Sequence, residues 1–118
     1  MRTVLQGEIY WIEFDEPAGS EPGYRRPCIV VQNNIFNKSR LRTTVVCALT
    51  TNLKRAIAPG NVLLNVGEGN LTEASVVNIT QLFTIDKQEL VEKIGQVSSA
   101  RIAQVVAGIK LLIEPAMI

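Results

Sequence analysis

Cys28-Ile29-Val30-Val31-Gln32 and Thr43-Thr44-Val45-Val46-Cys47-Ala48-Leu49 decide how this chain folds. Both runs are short and rich in β-branched residues, the signature of substantially buried strands rather than helices. Working outward, Glu8 to Phe14 (EIYWIEF) lies between Gly7 and Asp15 and predicts a first strand, with Glu8 and Glu13 marking exposure. Pro17 to Gly23 holds two prolines and two glycines and reads as a loop of about ten residues with its flanks. Asn33 to Arg42 is polar, with Ile35 and Phe36 expected as its apolar anchors. Val62 to Val66 and Ala74 to Ile79 predict further strands around the turn Gly67-Glu68-Gly69-Asn70. Gln81 to Ile85 either continues the second of these or forms a strand of its own.

The last third changes period. Asp86-Lys87-Gln88-Glu89 has the spacing of a helix N-cap with a reciprocal carboxylate, which predicts a short helix to about Ile94, stopped near Gly95. Ser98 or Ser99 then caps a longer helix whose apolar stripe is Ile102, Val105, Val106, Ile109, Leu112 and Ile113. Gly108 lowers its intrinsic stability by up to ~1 kcal/mol, so packing must hold it. Strands followed by terminal helices imply a small, strongly curved, mainly antiparallel sheet or barrel. At 118 residues the chain is expected to be one domain, residues 1–118, large enough to bury a core without metals or disulfides.

Charge is segregated. Residues 25–55 hold Arg25, Arg26, Lys38, Arg40, Arg42, Lys54 and Arg55 with no Asp or Glu, leaving five bases against eleven acids elsewhere. Such a segment attracts polyanions through phosphate contacts and counterion release, or forms a solvated basic face with no ligand. Cys28 and Cys47 sit inside apolar runs with no metal-ligand spacing and read as buried free thiols of a reducing compartment. No secretory leader is expected, and no apolar stretch approaches the ~20 residues of a membrane helix; the chain reads as cytoplasmic. It contains no histidine, which excludes Ser-His and Cys-His nucleophile pairs and leaves carboxylates, hydroxyls, arginine or water for proton transfer. The carboxylates are scattered, disfavouring a two-metal nuclease, and neither a P-loop nor a GxGxxG motif is present.

Arg26 precedes Pro27, which biases it towards an extended conformation at the mouth of the Cys28–Gln32 strand. Its planar fork of donors suits a phosphate; the alternative is an arginine packed over the barrel rim. Thr50 and Thr51 end their strand, either simply as turn formers or as hydroxyl donors beside Arg26. Glu21 could accept a proton from a 2′-hydroxyl, or simply pair with Arg25.

Several blocks together carry a resemblance. Gly7-Glu8-Ile9-Tyr10-Trp11-Ile12, Gly19-Ser20-Glu21, Arg26-Pro27 with Ile29-Val30-Val31-Gln32-Asn33, Ala48-Leu49-Thr50-Thr51, and Thr80-Gln81-Leu82 with Thr84-Ile85-Asp86 resemble the MazF/PemK family of toxin endoribonucleases. The match runs over essentially the whole chain, and the block from Gly19 to Asn33 is its most specific part. It implies a mainly β (α+β) fold: a small SH3-like antiparallel barrel of the CcdB/PemK type, with a short helix and a C-terminal amphipathic helix. It also implies a homodimer that cuts single-stranded RNA at short sequences without metal or other cofactor. In such enzymes the 2′-hydroxyl attacks the adjacent phosphate to leave 2′,3′-cyclic phosphate and 5′-hydroxyl ends. The catalytic residues implied are Arg26, Thr50 and Glu21. Ser20, Arg25, Thr51 and Gln81 are implied as RNA-binding, and a cognate antitoxin protein as partner. Some members carry a histidine where Arg25 stands, so histidine-based proton transfer does not carry over. Competing readings are a non-catalytic barrel that grips RNA or protein, a gyrase poison of related fold, and a structural dimerisation domain.

Overall fold

The computed structural model describes residues 3–14 and 24–116. Strand β1 (Glu8–Phe14) leads to β2 (Tyr24–Val30), helix α1 (Asn34–Asn37) and β3 (Thr43–Thr50). A 3₁₀ turn, Leu53–Ile57, precedes β4 (Val62–Leu64), and a second, Glu68–Asn70, precedes β5 (Ser75–Asp86). The chain closes with a third 3₁₀ turn, Lys87–Glu89, then β6 (Leu90–Gln96) and helix α2 (Ser99–Ile113). All pairings are antiparallel, in the order β4-β5-β3-β2-β1-β6. The result is a curled six-stranded half-barrel with one long C-terminal helix, the mainly β architecture expected.

Hydrophobic alternation divides the core between the two faces of the sheet. Ile9, Ile29, Cys47, Leu49, Leu64, Val77 and Ile79 pack on one face, together with Val105 of α2. Tyr10, Ile12, Cys28, Val30, Val46 and Leu90 pack on the other. Neighbouring residues of one strand thus enter different clusters, as a period of two requires. Both cysteines are buried free thiols. Ser98 caps α2 through a hydrogen bond from Arg101 N. The face of α2 turned to the core is narrower than the apolar stripe: Val105 is buried and Ile102 and Ile109 are partly so, while Val106, Leu112 and Ile113 are exposed. Gly108 is required here. A Cβ at this position would collide with the carbonyl of Gly60, so backbone meets backbone and packing outweighs the helix penalty of glycine.

Glu8 does not mark exposure: it is buried, its carboxylate accepting from Tyr10 Oη at 2.9 Å and lying 2.7 Å from Lys93 Nζ. Three further expectations need correction. Asp86 and Glu89 do form the reciprocal cap, yet it encloses one 3₁₀ turn. Residues 90–96 then pair with β1 instead of continuing as a helix. A capping box is a local signal, and tertiary pairing overrides it downstream. Second, Ile35 and Phe36 do not anchor the Asn33–Arg42 connection, being 77% and 56% exposed. The buried residue is Asn37. Its Oδ1 accepts from Gln32 Nε2 and Thr44 Oγ1, each at 2.9 Å, and its Nδ2 donates to Gln32 O at 2.7 Å. The buried Lys87 ammonium donates to Asn37 O at 2.7 Å. Third, β2 begins at Tyr24, so Arg26 and Pro27 lie inside a strand and not at its mouth. The segments Ala74–Ile79 and Gln81–Ile85 are one long strand. The loop expected over Pro17–Gly23 lies outside the described residues.

Candidate active site

The site grows from an interrupted ladder. Strand β2 pairs with β1 along its whole length, Trp11 opposite Pro27 and Ile12 opposite Arg26. With β3 it pairs only at Cys28↔Ala48, Ile29↔Cys47 and Val30↔Val46. Pairing stops where Pro27, which has no N–H, would come next. Continuing the same register would set Arg26 opposite Thr50. The two residues therefore flank the splayed end of a strand pair, where unpaired backbone leaves room for a ligand.

Across β3 the ladder is also disturbed. Cys47 pairs with Leu82 but Leu49 with Val77, so Asn78 to Gln81 bulge from β5 opposite Ala48. The bulge is held by Ile79 N donating to Asn61 Oδ1 at 2.9 Å, by Asn61 Nδ2 to Asn78 Oδ1 at 3.2 Å, and by Cys47 Sγ to Asn78 O at 3.0 Å. Bulges redirect side chains beside functional sites, and this one carries Gln81 towards Arg26.

Two cavities meet at this point. One of about 540 Å³ has Arg25, Arg26, Thr50 and Thr51 in its lining, with Trp11, Glu73 and Glu92 among the remainder. The other, of about 270 Å³, is lined by Arg26, Pro27, Gln81 and Phe83 with Ile12, Ala48 and Leu82. Arg26 belongs to both walls. Five of the seven expected site residues thus come together; Glu21 and Ser20 lie outside the described residues.

Arg26 is half-buried, and Thr50 Oγ1 accepts from Asn52 N at 3.2 Å. Thr50 therefore shapes the strand end, as a turn former would, while its hydroxyl hydrogen remains available to a ligand. Arg25 is fixed on three sides. Its guanidinium lies 5.2 Å from the centroid of the Trp11 ring, donates to Glu92 Oε2 at 2.8 Å and lies 3.9 Å from Glu13 Oε1. These exposed ion pairs contribute little stability, but together with the ring they set the plane of the guanidinium. The sequence offered Glu21 as one possible partner of Arg25 and gave no role to Glu92. The reason is geometric: Glu92 faces Trp11 only through the β1–β6 pairing that the expected helix would have removed. Among the described residues no three His, Cys, Asp or Glu gather as a metal-binding set. Both thiols lie apart from this chemistry, their pKa pushed up to about 12 chiefly by burial.

A half-buried arginine and a strand-end hydroxyl thus line one cavity of a curled antiparallel half-barrel. Comparison with known proteins assigns that architecture to a family. The chain belongs to the family described as PemK-like, MazF-like toxin of type II toxin-antitoxin system, whose model matches residues 5–113. It is 35% identical over 112 residues to Endoribonuclease MazF6 of Mycobacterium tuberculosis (strain ATCC 25618 / H37Rv), spanning 95% of this chain and 98% of that one. With Endoribonuclease EndoA of Bacillus subtilis (strain 168) it shares 35% identity over 91 residues, 77% of this chain and 78% of that one. Among solved structures it superposes on a MazE–MazF crystal structure from Deinococcus radiodurans with TM-score 0.78 and 21% identity, covering 98% and 100% of the two chains. A mycobacterial endoribonuclease solved with its cognate antitoxin gives TM-score 0.72 at 24% identity, covering 97% and 99%. These similarities bear out the fold. Among the described residues no helix is long and apolar enough to cross a membrane.

Proposed function

We propose that this chain is the toxin of a type II toxin–antitoxin pair: a metal-independent, sequence-specific endoribonuclease acting on single-stranded RNA. The observation that carries this reading is that Arg26 and Thr50 line one cavity beyond the point where the β2–β3 ladder stops. A permanently charged donor fork and a hydroxyl there suit one phosphodiester. The ribose 2′-oxygen attacks phosphorus, its proton passing to the Glu21 carboxylate. Arg26 stabilises the charge that develops on the equatorial oxygens, and Thr50 donates to a non-bridging oxygen. The P–O5′ bond then breaks, and the departing oxygen takes a proton from a water that is in turn reprotonated by the Glu21 carboxyl, since a guanidinium with pKa above ~12 is a poor acid. The products are a 2′,3′-cyclic phosphate and a 5′-hydroxyl.

In this reading Arg25, Thr51, Gln81 and Ser20 contact RNA around the scissile step. Ion-paired and lying over the Trp11 ring, Arg25 offers its guanidinium to a base for stacking rather than a free cation to a phosphate. The protein works as a single-domain cytoplasmic homodimer, and an antitoxin blocks the same basic cleft. The endoribonuclease names of the relatives and the antitoxin-bound neighbour support these assignments.

The test incubates the protein with a long single-stranded RNA in excess EDTA, beside Arg26→Ala. Discrete fragments with cyclic-phosphate and 5′-hydroxyl ends are expected, with the variant slower by at least ~100-fold, the scale for losing one oxyanion donor. Full activity of Arg26→Ala would overturn the assignment.

A further inference from the structure

The cleft uses one end of the β2–β3 pair. The other end, where residues 33–42 connect the two strands, has a composition that folding alone does not require. Ile35, Phe36 and Leu41 are 77%, 56% and 45% exposed, and Lys38, Arg40 and Arg42 are exposed beside them in sequence. Apolar side chains held in solvent within seven residues mark an interaction surface rather than a core. Among the described residues, none of the three bases takes part in an ion pair. Asp86, opposite Thr43 in the β3–β5 register, and Glu89 serve as caps and form no ion pair with these bases: Asp86 Oδ1 accepts from Gln88 N and Glu89 Oε2 from Asp86 N, both at 2.9 Å.

The corner is also fixed from beneath. Asn37 is tied to Gln32, Thr44 and Lys87, and Asn34 Oδ1 accepts from Gln6 N at 2.7 Å and from Asn37 Nδ2 at 3.1 Å. Arg42 O accepts from Lys87 N at 2.8 Å. A surface loop with no role has no need of such a foundation. Presenting a ring and three cations on a rigid corner lowers the ordering entropy lost when something binds them.

We propose that this corner is a second RNA-binding surface, remote from the cleft, which holds the substrate strand beyond its cleaved step. Lys38, Arg40 and Arg42 contact successive phosphates, and Phe36 stacks on an unpaired base between them. Interleaved cations and aromatic faces grip single strands without sequence preference, and three exposed bases outside any ion pair favour a polyanion over a neutral partner. The inference rests on the RNA-cleaving reading above and extends it to substrate length. From Thr43 to Thr50 the strand spans roughly 23 Å at about 3.3 Å per residue. At about 3.4 Å per stacked nucleotide that is on the order of seven nucleotides. Short RNAs centred on the cut therefore cannot reach the corner, and long ones can.

The experiment compares the native protein with the triple variant Lys38→Gln/Arg40→Gln/Arg42→Gln, and separately with Phe36→Ala, on a short RNA spanning only the cleavage site and on a long single strand containing it. All four positions are exposed, so the fold should survive. The triple variant is expected to cleave the short RNA at the native rate and to lose about 10-fold or more in kcat/KM on the long one, through KM. Filter binding of the long RNA should show the log–log salt slope falling by about 2, from three phosphate contacts at ~0.7 each on a single strand. Phe36→Ala should weaken long-RNA binding by several-fold with the slope unchanged. Equal affinity of native and triple variant for long RNA would overturn the proposal and leave the corner to an acidic protein segment. An equal loss on short and long RNA would overturn it as well, because the effect would then not depend on reach. The binding arm is independent of catalysis: if the native chain cuts neither RNA, the cleavage reading falls while the salt slopes still decide this one.

Discussion

The two ends of one strand pair are built on opposite principles. At the Arg26–Thr50 end the ladder stops, Pro27 supplies no donor, and two cavities share an arginine wall. At the Asn33–Arg42 end the connection is tied down by a buried amide and a buried ammonium, and what faces solvent is apolar and basic. One end gives up backbone hydrogen bonds and opens into cavities. The other adds side-chain hydrogen bonds to make a fixed surface. The basic segment of the sequence is therefore divided between two differently built ends, although its charge looks continuous from Arg25 to Arg55.

Substitutions separate the two ends. The largest effect is expected from Thr50→Val, which keeps the side-chain volume but removes the hydroxyl and with it the exposed hydrogen bond from Asn52 N: cleavage should fall on the order of 100-fold in kcat, while the denaturation free energy falls by no more than about 1 kcal/mol. A variant that loses stability and keeps its rate would give Thr50 back to the turn. Next is Asn37→Ala at the other end, which leaves Gln32 O and the Thr44 hydroxyl short of partners in a buried place. It should cost about 2 kcal/mol in equilibrium denaturation with kcat on a short RNA unchanged. A fall in that rate would join two ends described here as separate.

The smallest effect concerns the turn Glu68–Asn70 that leads to the cleft. Arg101 donates to both oxygens of Glu68, at 2.8 and 2.9 Å, and Asn65 N donates at 2.6 Å. The Arg101 hydrogen bond, aided by that of Asn65 N, holds the Glu68 carboxyl below its ordinary 4.5. A depressed carboxylate pKa adds stability above the unfolded value and loses it as pH falls through the folded one. Glu68→Gln should thus lie below the native protein by no more than about 1 kcal/mol at pH 7, and the two denaturation curves should converge as pH drops below 4.5. A constant gap down to pH 2 would assign the bond no electrostatic part.

These outcomes bear on how far residues alone can be read. The strands at Glu8–Phe14, Cys28–Val30 and Thr43–Leu49 were legible because alternation and β-branching report burial on a pleated surface. The C-terminal helix was legible from its Ser98 cap and period. Strand β6 was not: Asp86-x-x-Glu89 signals a helical start of any length, and only contact with β1 decides that Leu90 to Gln96 extend. Ile35 and Phe36 misled because apolar type was taken for burial, whereas Asn37 goes inward once its amide is fully bonded. Arg26, Thr50, Thr51 and Gln81 could be singled out by resemblance, yet their convergence depends on an ended ladder and a bulge, both products of long-range register. Glu92 was hidden with β6.

The two thiols, Cys28 and Cys47, have a practical consequence. With pKa values near 12, about one in 10⁵ of either sulfur is ionised at neutral pH, and the thiolate is the form that reacts with oxidants and alkylators. Packed into different clusters on the two faces of the sheet, they are chemically silent in the folded state. A single cysteine introduced at an exposed site would be the one group a maleimide dye could find. Native sequence can therefore carry a lone fluorophore at either end of the β2–β3 pair without first removing a sulfur.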